Sequence, residues 1–242
     1  MKSQIFNLII LDESGSMSFV TRQTINGCNE TLETISAVQE KFAETQKHFV
    51  SIYAFEDGRR PSRYIIKNVP IADVKHIASD DYTPGGSTPL YDAVGATLSD
   101  LKATTKRSED AIGSVTIITD GEENSSTRYT LPQVAKMIEA LKEQGWNFNF
   151  IGANIDVSRV SRSLNIDNAM EFKQDEAGTA EMFEKERRSR EAYYSRMEEA
   201  NIEYNACMAA PAAAEMSEED MEELRKKRLE RRKNANKGYF DV

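Results

Sequence analysis

An aspartate and two serines at alternating positions, Asp12, Ser14 and Ser16, stand directly behind the apolar run Ile5 to Leu11. Carboxylate and hydroxyl oxygens thrown off the end of a buried strand suit a hard cation, because they offer several neutral donors and little negative charge. An ion held this way stays electrophilic and takes a further anionic ligand. Alone, Asp-x-Ser-x-Ser also reads as an ordinary turn, in which Asp and Ser side chains bond their own backbone and cap the next helix. Two later segments offer the same chemistry at the same kind of place. Gly85-Gly86-Ser87-Thr88-Pro89-Leu90 precedes a helical run, and Ile117-Ile118-Thr119-Asp120-Gly121 ends another apolar strand. If the three loops converge, Asp12, Ser14, Ser16, Thr88 and Asp120 form an oxygen shell of the kind Mg²⁺ takes, with Mn²⁺ and Ca²⁺ as alternatives.

The elements that must position these loops alternate. A strand is expected over about Gln4 to Leu11, then a helix from about Thr21 to Thr45, in which Ile25, Cys28, Leu32, Ile35, Val38 and Phe42 recur at helical spacing. Phe49 to Phe55 and Tyr64 to Ile66 flank Asp57-Gly58, a hairpin signal, so this pair is expected to be antiparallel and at the sheet edge. Pro89 suits the first turn of the next helix. Val115 to Ile118 reads as a strand buried on both faces. A helix over Leu131 to Gln144, stopped by Gly145, leads into the strand Asn147 to Ile151. A short helix near Val157 to Leu164 and a strand near Ala169 to Phe172 complete six strands. The expected fold is α/β, a doubly wound, mainly parallel six-stranded sheet with one antiparallel edge strand and helices on both faces.

A C-terminal helical extension follows. Glu181 to Asn205 is charged, with one narrow apolar stripe that suits a long helix packed on the sheet. The expected division is a domain over residues 1–205, an Ala/Pro linker over 206–216, and a charged tail over 217–242 that is helical or partly disordered and solvated. In the tail, Ser217-Glu218-Glu219-Asp220 resembles a capping box, and acidic residues precede basic ones as the helix dipole prefers.

The net charge of −9 argues against nonspecific nucleic-acid affinity. No apolar stretch of membrane-spanning length occurs, and Met1-Lys2 runs straight into a mixed strand, so a cytoplasmic protein with no membrane association is expected. Cys28 and Cys207 are far apart and read as packing residues rather than a disulfide. His48 and His76 lack metal-motif spacing and are expected to be structural or exposed.

Asp12-x-Ser14-x-Ser16, Thr88 within Gly-Gly-Ser-Thr-Pro-Leu, and Asp120 within Ile-Ile-Thr-Asp-Gly together resemble the von Willebrand factor type A domain and its metal-ion-dependent adhesion site. The wider wording is similar to the stand-alone, cytoplasmic bacterial and phage branch, over about Met1 to Tyr204. The resemblance implies a Rossmann-like sheet with the ion above the carboxyl ends of the first and fourth strands. It also implies a protein partner whose Glu or Asp completes the metal's shell. Among the neighbours, Glu13 is expected to point away, Asp92 to lie on a helix surface, and Glu122, Glu123 and Asn124 either to rim the metal face or to form a solvated loop.

Two other functions fit parts of the chain. Asp12 at the end of a first strand could be the nucleophile of a Mg²⁺-dependent phosphohydrolase. Such enzymes of the haloacid dehalogenase type want a second Asp two residues on, where this chain has Ser14, and a later lysine that is not evident near Asp120. No phosphate-binding or dinucleotide fingerprint is present, and no catalytic residue is assigned. Alternatively, the domain is a scaffold whose charged C-terminal helices recruit a partner. The composition of the site favours a binding module over an enzyme.

Overall fold

The computed structural model describes residues 2–58, 60–106, 108, 110–211 and 216–242. Six strands form one sheet: β1 (Ser3–Asp12), β2 (Gln46–Asp57), β3 (Pro61–Pro70), β4 (Ala111–Thr119), β5 (Asn147–Gly152) and β6 (Asn168–Glu171). Their spatial order is β3-β2-β1-β4-β5-β6, and only the edge pair β2–β3 is antiparallel. The chain leaves β1 toward β2 and later returns to its other side as β4. The gap between those strand ends is the switch point at which such sheets hold ligands.

Side chains alternate across β1. Ile5, Ile9 and Leu11 join one core with α1 (Thr21–Lys41) and α5 (Glu176–Ala209). Phe6, Leu8 and Ile10 join the other core with α2 (Leu90–Thr105), α3 (Leu131–Lys142) and α4 (Val157–Ser163). A strand covered on both faces reads as a continuous apolar run, which is why β1 and β4 are legible as buried strands.

Asn7 breaks the apolar run of β1 and faces α5. Its Oδ1 accepts from the Tyr194 hydroxyl and, at 3.3 Å, from Arg190, whose guanidinium is itself only 1 % exposed. Arg190 also pairs with Glu186 one turn back and donates to Thr116 Oγ1 at 3.0 Å. The Tyr239 hydroxyl closes the network on Glu186 at 3.1 Å. The dry face beneath α5 is thus organised around one buried ion pair.

His48 sits in the same face, fully buried, with Nε2 3.0 Å from Gln46 Oε1 and Nδ1 3.4 Å from Asn7 Nδ2. That arrangement suits a neutral ring that donates from Nε2 and accepts at Nδ1. Burial, then the Arg190 charge, pushes its pKa down to about 3. The unfolded chain therefore binds a proton below about pH 6.5 that the folded protein refuses, and stability is lost as pH falls from there toward about pH 3. Between about pH 6.5 and 4.5, wild type should lose about 2 kcal/mol more than His48→Gln, read from urea midpoints of both proteins at each pH.

The tail is helical, but it is not solvated all round. In α6 (Glu218–Ala235), Arg228 and Arg232 are buried and reach Asp110 at 2.5 and 2.7 Å, while both Nε atoms donate to Asn201 Oδ1 at 2.8 Å. Burial alone would raise the Asp110 carboxyl, but Arg232 and then Arg228 hold it down at about 2. Beyond α6, Tyr239 and Phe240 are buried in the α5-side core. The charges that read as a solvent face are in part a docking face. Of the expected Ala/Pro linker, α5 extends to Ala209, and residues 212–215 lie outside the described residues. Among the described residues no helix is long and apolar enough to cross a membrane, and Cys28 and Cys207 are free thiols. Burial, then the Glu186 charge, pushes the Cys28 thiol up to about 12, so it behaves as a packing residue.

Candidate metal centre

The parallel register of β1 and β4 pairs Leu11 with Ile118, which sets Asp12 beside Thr119 and brings Asp120 to the same end of the sheet. Both oxygens of Asp12 are engaged. Oδ1 accepts from the Ser14 amide at 2.7 Å and Oδ2 from the Thr119 hydroxyl at 2.5 Å. Ser14 Oγ lies 3.1 Å from Ser16 Oγ, and Ser16 Oγ donates to Asp120 Oδ1 at 2.8 Å. Four of the five candidate ligands are therefore linked around one point. The cluster grades from buried Asp12, Ser14 and Asp120 to exposed Ser16, so it opens to solvent on one side.

Thr88 arrives from the second loop, where backbone pairing does the positioning. Gly85 donates to the Glu13 carbonyl at 2.8 Å, and the Gly86 carbonyl accepts from the Gly15 amide at 3.2 Å. Gly86 has φ +70°, and a Cβ there would lie 2.7 Å from the Asp57 backbone, so the loop needs glycine at this position. On the other side, Thr88 N–H donates to Asn124 Oδ1 at 2.8 Å, and Asn124 N–H donates to the Thr88 carbonyl at 3.2 Å. This bracket sets the Thr88 hydroxyl against the third loop, so close that a Cβ on Gly121 would come within 2.9 Å of Oγ1.

The neighbours take structural roles. Buried Glu13 turns away from the cluster into a bidentate pair with half-buried Arg63, at 2.5 and 3.0 Å, and accepts the Thr83 amide at 2.6 Å. Asp92 does more than decorate a helix surface: its carboxylate accepts the amides of Thr127, Arg128 and Tyr129 at 2.7 to 2.9 Å and so anchors the loop that follows Asp120. Those bonds overcome the effect of burial and hold its carboxyl below the usual range. Glu123 caps the start of α2 through the Tyr91 amide at 2.9 Å, and Glu122 pairs with Arg159 at 2.5 Å. Neither faces the cluster, whereas Asn124 is part of its frame. His76 lies exposed, 3.3 Å from Glu33.

One contact has no signal in the sequence. Gln174, in the loop between β6 and α5, donates from Nε2 to Asp120 Oδ2 and to the Ser16 carbonyl, the latter at 2.8 Å, while its Oε1 accepts from Asn154 at 2.5 Å. It lies 54 residues from Asp120 in no recognisable motif, and only the fold brings it there.

The charges around the cluster separate it from the rest of the molecule. Buried Glu13 and Glu186 and mostly buried Asp110 each carry a guanidinium. No Lys or Arg among the described residues pairs with Asp12 or Asp120. Burial raises both carboxyls, Asp12 to about 7, against the opposing hydrogen bonds that lower them. Two buried carboxylates and three hydroxyls, with no counter-ion among the described residues, are a donor set that fits a hard divalent cation. Among the described residues no group of three or more His, Cys, Asp or Glu side chains is placed to hold a metal, so the cluster is of the low-charge, hydroxyl-rich kind.

No family model matches the sequence, and no curated protein is similar to it. Solved structures are similar in fold. The pilus adhesin SpaC from Lactobacillus rhamnosus GG aligns with TM-score 0.60 and 12 % identity over 80 % of this chain and 31 % of its own. The PilB minor pilin from Streptococcus sanguinis aligns with TM-score 0.54 and 9 % identity over 79 % and 62 %. Proximal thread matrix protein 1 from the mussel byssus, in a structure with a zinc occupied MIDAS motif, aligns with TM-score 0.52 and 15 % identity over 76 % and 44 %. This chain spans less than two thirds of the length of each of those chains. The fold is the Rossmann-like α/β sheet of the von Willebrand factor A type.

Proposed function

We propose that this chain is a metal-dependent protein-binding module, in which Asp12, Ser14, Ser16, Thr88 and Asp120 hold a divalent cation whose remaining position is filled by a Glu or Asp of a protein partner. The observation that carries this reading is the counter-ion pattern: among the described residues no guanidinium pairs with Asp12 or Asp120, whereas Glu13, Glu186 and Asp110 each have one. Ser14, Ser16 and Thr88 supply neutral oxygens. Asp12, with both oxygens already accepting hydrogen bonds, suits contact relayed by water. Mg²⁺ is preferred, because hydroxyl and carboxylate oxygens in low-charge sites suit it and it keeps water in its shell. Bound there, the ion would supply a Lewis-acidic position for an external carboxylate. An adhesin and a MIDAS-bearing matrix protein among the structural neighbours support the same reading.

Recovery of partners from native lysate tests it. Protein should be captured in Mg²⁺ and lost both in EDTA and with Asp12→Ala; the same partners in all three arms would refute the reading.

Gln174 gives a sharper expectation. Gln174→Glu puts a carboxylate beside Asp120 and so supplies internally the charge that the partner is proposed to bring. Divalent affinity should rise roughly tenfold, since ligand charge count tunes such sites, while partner affinity falls. Titration calorimetry of metal and then of partner separates the two effects.

A further inference from the structure

A second surface lies away from the metal face, between α2 and α3. There an open groove of about 680 Å³ is floored by Leu98, Met137 and Leu141, with Ala103 and Ala140 leaving room between them. Ser99 and Ala103 on α2 with Lys106 capping its end, and Gln133, Lys136 and Ala140 on α3, recur at helical spacing along its two walls. Lys102, Lys106 and Lys136 rim the groove, all three exposed and none with an ion-pair partner among the described residues. Other surface cations meet carboxylates, as in Lys67–Asp100, Lys142–Asp167, Lys227–Glu223 and Arg159–Glu122, but these three gather around one apolar groove. On a chain of net charge −9, three cations without an ion-pair partner among the described residues, set around an apolar floor, are a local reversal of sign.

We propose that this groove docks an acidic amphipathic helix of a protein partner. Its apolar residues, spaced one turn apart, would fill the floor between the two walls, and its flanking carboxylates would meet the three lysines. The wall from Ser99 to Lys106 is about 10 Å long at 1.5 Å per residue, the length of two helical turns. A helix is favoured over a lipid surface because Leu98 and Leu141 are buried and, among the described residues, no exposed large apolar side chain lines the groove to enter a membrane. The site is independent of the cation: none of its residues touches the metal cluster.

The test uses the full chain, isotopically labelled, with an acetylated helical peptide carrying leucines at i, i+4 and i+7 and glutamates on its flanks. Its controls are the same peptide with lysine for glutamate, and phosphatidylserine vesicles. Shift changes confined to α2 and α3, binding weakened by salt, and a loss of at least about tenfold in Lys102→Glu/Lys106→Glu/Lys136→Glu support the proposal. Ala103→Trp, which fills the groove without changing charge, should weaken binding equally, and Asp12→Asn should leave it unchanged. The proposal is overturned by no binding near 1 mM peptide, on the order of the weakest specific contacts. It is also overturned by equal binding of the lysine peptide, by shifts centred on Ser14 to Phe19, or by vesicle binding without peptide binding. The Asp12→Asn arm separates failure here from failure of the metal reading.

Discussion

Arg190→Met is expected to cost about 3–5 kcal/mol of folding stability, because it strands the Glu186 carboxylate in a dry core. Arg190 and Glu186 are 1 % and 2 % exposed at the side chain and pair directly across one helical turn. Burial works against the Arg190 charge, yet Glu186, then Tyr239 and Tyr194, outweigh it and keep the guanidinium protonated. Removing the cation leaves Glu186 with only the Tyr239 hydroxyl as a donor among the described residues, and also deprives Asn7 and Thr116 of a donor. A globular domain of this kind holds only about 5–15 kcal/mol in total, so the variant should be near its limit. The double variant Glu186→Gln/Arg190→Met should recover part of the loss, since a neutral amide costs less to bury than an unpaired carboxylate. Urea unfolding measures both. A single-variant cost under about 1 kcal/mol would mean that the ion pair contributes little beyond its apolar stems.

Asp12→Asn should act with opposite signs in the two states of the cation site. Without metal, the wild-type carboxylate is buried, has no guanidinium partner among the described residues, and is pushed by burial up to about 7. An amide of the same shape keeps an oxygen for the Ser14 amide and offers N–H to Thr119 Oγ1, whose hydroxyl can turn to the Gly121 carbonyl at 3.0 Å. In EDTA the variant should be more stable than wild type, by on the order of 1–3 kcal/mol. With the ion at a hundredfold excess over its Kd, wild type should gain about 2.7 kcal/mol and the variant far less. Thermal unfolding in EDTA and in Mg²⁺ reads both halves. An Asp12→Asn protein destabilised in EDTA, or one that gains as much from Mg²⁺ as wild type, would show that Asp12 serves the fold rather than the cation.

What the sequence makes legible here is what depends on local pattern. Asp12, Ser14 and Ser16 share one loop, and apolar runs announce β1 and β4, so convergence with Asp120 follows once those strands are neighbours in parallel. The hairpin at Asp57-Gly58 and the edge position of β3 are local in the same way. Thr88 was reachable only through its Gly-Gly-Ser-Thr-Pro-Leu wording. Long-range polar pairing is a different matter. Gln174 on Asp120, Arg63 on Glu13, and Arg228 and Arg232 on Asp110 join residues 50 to 122 positions apart, and no periodicity encodes them. The tail shows the consequence. A run of Glu, Arg and Lys predicts a solvated helix, because a charge is cheap in water and costly in a core unless paired, and the pairing partner lies on another element.

Titration calorimetry of Mg²⁺ or Mn²⁺ into wild type and into Ser14→Ala/Ser16→Ala tests the cation site most directly. These substitutions leave both carboxylates and every backbone contact in place and remove only neutral oxygens. One ion per chain in wild type, with affinity reduced about a hundredfold or more in the variant, is the expected result. Equal affinity in both proteins would contradict a site built on the Ser14 and Ser16 hydroxyls, and no binding to wild type would contradict the cation site altogether.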